Sequence, residues 1–328
     1  MKWLAFLTIA LAACATPPSA SITSPSATTS GVVSPRASET SSCSLPVRYV
    51  SEAQGAGPVV AGFLTVPGLA FTPAPQEDSG GHFYVAAIGR WVPVGPPALS
   101  ADGARYEYVE GDIKQSQAFV VEVRAGTQSV VASGGPWHGV GVNADAFYAT
   151  RVEYIVSEAY GSLPIGKGLW RFPLDGGSPA QLTMDSRQWT WVDDRAAYAD
   201  QTTGDVAGGP NSILRLDLKT RQLTTWFDHH MRSRLLAVDA TGAGLVLAEG
   251  AVEELWRLPA SGEPVKVWTG QSSELRPERP VAVDGTDVWF SSSSETGGSG
   301  IYHYTLHNGL ERVARFDDRR VTVAGTCA

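Results

Sequence analysis

Lysine is scarce in this chain, supplying 5 of its 25 cationic residues against 33 acidic ones in 328. The net charge of −8 and the absence of a basic run exclude nucleic acid as a partner and argue against adhesion to anionic headgroups. Histidine and cysteine are few, six and three. No His-Glu-x-x-His or Cys-x-x-Cys spacing occurs, so the adjacent pair His229 and His230 has no ready third metal ligand. No Gly-x-Ser-x-Gly elbow is present, which leaves a serine nucleophile without support. Gly161–Gly168 comes near a phosphate-binding loop and fails twice: Gly168 stands where the hydroxyl residue belongs, and the segment that follows is strand-like. Beyond residue 14 no apolar run approaches the ~20 residues of a membrane helix. Helical periodicity is almost absent from residue 43 onward.

The start of the chain is different in kind. Lys2 opens a short apolar stretch that closes on Leu11, Ala12, Ala13 and Cys14. A basic start, an apolar run of about a dozen residues and small residues at its end describe a secretory signal. Cys14 directly after the two alanines resembles the lipobox of bacterial lipoproteins. The resemblance implies a signal peptide over 1–13, cleavage before Cys14 and lipid on its sulfur, with an ordinary signal cleaved nearby as the alternative. Loss of residues 1–13 removes only Lys2, leaving 24 cationic against 33 acidic residues, a net charge of −9. With Cys14 lipidated, Cys43 and Cys327 remain as a disulfide pair or as two free thiols. A bridge there would close nearly the whole folded chain and contribute roughly 5 kcal/mol in the chain-entropy picture. Residues 14–42, rich in Ser, Thr, Pro and Ala, bury too little apolar surface to order and read as a tether.

From residue 43 a period of 40–50 residues runs through the chain. Apolar alternations recur at Phe119–Val123, Leu169–Leu174, Ile213–Leu218, Leu255–Pro259 and Ile301–Leu306, with a weaker copy at Phe83. Tight-turn sequences precede them at Ser100–Gly103, Asn143–Asp145, Asp193–Asp194, Asp239–Gly242 and Asp284–Asp287. Two hairpins per period make four strands, the mark of an all-β propeller. Ala98–Tyr106 and, more strongly, Gly168–Thr183 resemble the repeats of TolB-like propellers. That resemblance implies the same fold over roughly 80–316 and says little about activity. Six blades are expected, with seven as the alternative. Pro46–Val50 and Val321–Val323 are expected to share the blade that closes the ring, with Cys43 and Cys327 beside them.

In such a ring the connections into the inner strands and the loops between second and third strands emerge on one face. That face is expected to gather Trp137, His138, Trp189, His229, His230, Arg232, Arg276, Glu278 and Arg279. Long loops at 157–167, 201–211 and 291–299 are expected to join them, because binding residues concentrate on loops carried by a rigid scaffold. Asp193, Asp194, Asp200, Asp239, Asp284, Asp287, Asp317 and Asp318 read mainly as turn caps. The expected function is a non-catalytic binding or interaction module in the cell envelope, tethered to a membrane through Cys14 and facing an envelope protein or glycan. No cofactor is implied. The competing reading is an extracytoplasmic enzyme of lactonase-, lyase- or cyclase-like kind with a metal in the central channel. A third reading is glycan stacking on Trp137 and Trp189.

Overall fold

The computed structural model describes residues 42–50, 58–75, 81–112, 114–157, 161–201, 212–271, 275–293 and 298–327. Among them there is no α-helix, and no helix is long and apolar enough to cross a membrane. The chain is a β-propeller. The expected signal segment, Cys14 and nearly all of the tether lie outside the described residues.

The ring closes with both ends of the chain. Blade 1 takes its innermost strand, β25 (Arg320–Val323), from the carboxyl end. Its other strands are β1 (Cys43–Val50), β2 (Val59–Val66) and β3 (Phe71–Pro73). The order is β25-β1-β2-β3, with Val47 opposite Val323, Arg48 opposite Thr322 and Tyr49 opposite Val321. Cys43 and Cys327 are joined by a disulfide across 284 residues of sequence, their Cα atoms 5.4 Å apart. The two ends are therefore held both by a strand ladder and by a covalent bond.

Blade 2 holds β6 (Arg105–Gly111), β7 (Ser116–Glu122) and β8 (Thr127–Gly135). A short inner strand completes it through the Leu99–Tyr106 bridge and the bonds Ser100 N–H to Arg105 O and Glu107 N–H to Ala98 O. Blade 3 is β9 (Trp137–Val142), β10 (Ala146–Ser157), β11 (Gly161–Pro173) and β12 (Ala180–Thr183). Blade 4 is β13 (Gln188–Val192), β14 (Ala196–Gln201), β15 (Ile213–Asp217) and β16 (Leu223–Phe227). Blade 5 is β17 (Arg232–Val238), β18 (Gly244–Glu249), β19 (Val252–Leu258) and β20 (Val265–Gln271). Blade 6 is β21 (Pro277–Asp284), β22 (Asp287–Ser293), β23 (Ser299–Thr305) and β24 (Gly309–Phe316). All pairings within these sheets are antiparallel.

The weaker repeat at Phe83 is not a full blade. It is a two-stranded hairpin, β4 (Phe83–Val85) and β5 (Arg90–Val92), wedged between blades 1 and 2. On one side Tyr84 and Trp91 pack edge-on against Phe63 of β2, with ring centroids 5.0 and 5.9 Å away. On the other, Arg90 reaches Val123 O at 3.3 Å.

Each blade buries both faces against its neighbours, so the core is a circle of apolar interfaces. Val120 and Ala132 of blade 2 meet Phe147 and Phe172 of blade 3. Tyr148 and Leu169 of blade 3 meet Trp189 and Leu216 of blade 4. One cluster runs through blades 4 to 6, and another joins blade 6 to blade 1, the hairpin and blade 2. This explains the alternation in the third strands, whose residues at every second position pack against a neighbouring sheet.

The turns between first and second strands are stitched to one another around the ring. Asp102, Asn143, Asp193 and Asp239 each cap the backbone of their own turn, as at Asp193 Oδ1, which accepts from Arg195 and Ala196 N–H, both at 2.7 Å. Side chains then cross to the next blade: Arg105 Nη1 donates to Ala144 O at 2.8 Å, and Arg195 Nη2 to Ala240 O at 2.8 Å. The link from blade 5 to blade 6 is the Ala240 N–H to Gly285 O bond. This turn face is cross-linked from blade to blade.

Candidate functional site

The opposite, entry face is where the chain enters each innermost strand. Trp137 and His138 open β9, Trp189 is the second residue of β13, Arg232 opens β17, and Glu278 and Arg279 follow Pro277 in β21. His229 and His230 lie in the connection before β17, and Arg276 just before β21. All nine expected residues therefore belong to one side of the ring. Their surroundings divide them.

Trp189 is a correction. It is 1 % exposed and packs in the interface of blades 3 and 4, so it offers no ring to a ligand. Trp137 is also largely a packing residue. Its ring stands edge-on to Trp170 and Phe172, at 5.8 and 5.0 Å, between blades 2 and 3. His229 is committed as well. Its Nδ1 accepts the Met231 N–H at 3.2 Å, its Nε2 lies 3.4 Å from Glu254 Oε2, and its ring stacks on Phe227 and His230. Burial and the neighbouring His230 hold it below the ordinary histidine range, which fits a neutral ring donating from Nε2. Both nitrogens are in use. His230, Arg232, Arg276 and Arg279 remain exposed, and Glu278 is half-buried. Among the described residues no three His, Cys, Asp or Glu side chains gather closely enough to hold a metal ion.

The expected loops are partly different. Most of 157–167 continues the β10–β11 ladder, with Ser157 opposite Gly161 and Val152 opposite Gly166. Residues 202–211 and 294–297 lie outside the described residues, and 291–293 belong to β22.

The sequence reading did not find what crosses the channel. Between β5 and the first inner strand, residues 93–98 carry Pro93, Pro96 and Pro97. The Pro96–Pro97 peptide is cis. Gly95 sits so tightly against β21 that a Cβ there would fall 2.6 Å from Pro280 Cβ. The Pro97 carbonyl oxygen lies 2.8 Å from where a Cβ of Gly141 would be, in β9, and Val192 Cγ1 crowds the same point. Blades 3 and 6 are opposite each other in a ring of six, so a segment touching both spans the channel. The strap makes the entry side a blind cup.

Two further features of the cup were missed. Arg234, two residues along β17 from Arg232, places Nη2 3.5 Å from Glu249 Oε1 and donates from Nη1 to Pro277 O at 3.4 Å. Arg320 makes a two-pronged pair with Glu278, at 2.8 and 3.2 Å, and so links blade 1 to blade 6. The Arg232-x-Arg234 alternation was a readable signal. Arg320 and Arg48 meet only because the two chain ends share a blade.

Glu107 of β6 is a second kind of exception. Its carboxyl occupies the space of the missing Gly139 side chain, where a Cβ would lie 2.3 Å from Oε2. It is 5 % exposed, and burial pushes its pKa up to about 8. It is a buried acid that stays protonated at neutral pH.

No family model and no curated protein matches the sequence. Among solved structures the chain is similar to TolB from Acinetobacter baumannii, with 12 % identity over 86 % of this chain and 67 % of that one, at a TM-score of 0.52. It also aligns with an oligogalacturonate lyase in complex with manganese, at 14 % identity over 79 % and 71 % of the two chains, with a TM-score of 0.48. A third match is the β-propeller domain of the Trilobed protease from Pyrococcus furiosus, at 11 % identity over 67 % and 71 %, with a TM-score of 0.45. At these identities the likeness shows the fold alone, a β-propeller.

Proposed function

We propose that the protein is an envelope lipoprotein whose propeller is a non-catalytic binding module, with its partner seated on the entry face. One observation carries this reading: the two faces are built differently. The turn face is closed by side chains bonded from blade to blade. The entry face presents exposed His230, Arg232, Arg276 and Arg279 around a cup whose floor is the proline strap. Rigid walls with exposed polar groups at a concave mouth are the usual form of a binding site. The lipobox-like run ending at Cys14 supports attachment to a membrane by lipid.

The test uses the full chain expressed in its own cells. Alanine at His230, Arg232 and Arg279 together should abolish co-purification of the native neighbour while leaving the melting temperature unchanged. Retained co-purification refutes the assignment. Cys14→Ser should abolish labelling by radioactive palmitate and release the protein from the membrane fraction; labelling that persists refutes the anchor.

A further inference from the structure

The entry side carries a cluster of arginines in a protein that is acidic overall. Arg232 and Arg234 stand on blade 5, Arg48 and Arg320 on blade 1, and the carboxylates set among them are Glu249 and Glu278. The groups form one arc. Glu249 lies 3.5 Å from Arg234, Arg234 bonds to Pro277 O, the next residue Glu278 holds Arg320, and Arg320, opposite Val50, stands diagonally from Arg48 on the ladder of β25 and β1. Within the arc, four guanidiniums stand against two carboxylates, while the neighbouring Asp317 and Asp318 are paired with Arg315 and Arg319. The chain as a whole carries −8.

These guanidiniums are also incompletely satisfied. Glu249 is shared by two arginines at 3.8 and 3.5 Å, beyond good hydrogen-bond length. Arg234 Nε is buried and has no hydrogen-bond partner. Arg48 Nε is in the same state, and Arg48 Nη1 has only His82 Nδ1, at 3.2 Å. Burial and the Arg48 charge hold His82 below the ordinary histidine range, which favours a neutral ring that accepts from Arg48. Among the described residues no carboxylate pairs with Arg48. Buried donors without partners are costly, and a planar guanidinium fork is shaped for an oxygen anion.

We propose that this arc is the seat of an oxyanion, a carboxylate or phosphate carried by whatever binds the entry face. The inference rests on the entry face being the binding face. Because the strap closes the channel, the anion enters from the mouth as the end or branch of a ligand and does not thread through.

The test is titration of the full chain, in detergent micelles, with inorganic phosphate and separately with succinate, read by calorimetry. Saturable binding is expected, weakening with added salt. Arg234→Gln and Arg48→Gln should each weaken it about tenfold, the scale of one charged hydrogen bond. Arg124→Gln on the turn face should leave it unchanged, and Arg234→Lys should restore part of it. A preference for either probe supports the seat and names the carrier. Equal affinity in all the arginine variants, or no saturable binding of either probe, overturns it. If those variants still capture the cellular neighbour while the His230, Arg232 and Arg279 alanine variant does not, the oxyanion seat falls and the binding face stands.

Discussion

Replacing Glu107 by glutamine should remove a pH dependence that the wild-type protein carries. The native carboxyl sits in the space of the absent Gly139 side chain, and burial raises its pKa from the ordinary 4.5 to about 8. The native state therefore holds this proton more tightly than the unfolded state between those two values. Stability must fall as pH rises through that window and level off above about 8. At about 1.4 kcal/mol per unit of pKa difference, the contribution changes by about 3–4 kcal/mol between pH 5 and pH 8. For a domain of this size that corresponds to roughly 5–7 °C in melting temperature. The assay is thermal unfolding of the full chain and of Glu107→Gln, followed by near-ultraviolet circular dichroism at half-unit steps from pH 5 to 8.5. The difference between the two proteins isolates Glu107 from the histidines and surface carboxylates. It should be small at pH 5 and grow in favour of the glutamine variant. Parallel profiles would refute the reasoning.

Two other expectations concern the scaffold. Asp239 is buried beneath three hydrogen bonds from its own turn and a close pair with Arg257, itself 8 % exposed. Asp239→Ala strands that guanidinium and should cost about 3–5 kcal/mol in denaturant unfolding; a loss below 1 kcal/mol would show that the pair is not needed. Cys43→Ser with Cys327→Ser should keep the fold, because β1 and β25 still pair, but lower stability by roughly 5 kcal/mol in guanidinium titration. An unchanged midpoint would mean that the ladder alone holds the ends.

Much of the ring was legible because its repeat is written in local patterns. Phe119, Trp170, Leu214, Trp256 and Tyr302, aligned from sequence alternation, all lie in the third strand of their blades. The Asp- and Asn-rich turns fell between first and second strands, since capping is decided within a few residues. Closure was legible too, the paired terminal segments meeting in the expected blade beside the disulfide. What depends on distant neighbours was not. Phe83–Val85 alternates like the other strands, but prolines soon after β5 end the pairing and send the chain across the channel. Trp189 looked supernumerary because the repeat does not demand it, yet it fills a gap between two blades. Glu107 gave no local sign, for its neighbour Gly139 comes from the next blade.

The measurement that bears most directly on the account is site-specific photo-crosslinking in intact cells, with the probe residue placed on each face in turn. Probes at Arg232 and Arg276 on the entry face should trap a discrete neighbour. Probes at Arg124 and Asp175 on the turn face should trap none. Capture from the turn face alone would contradict the assignment of the cup as the binding side.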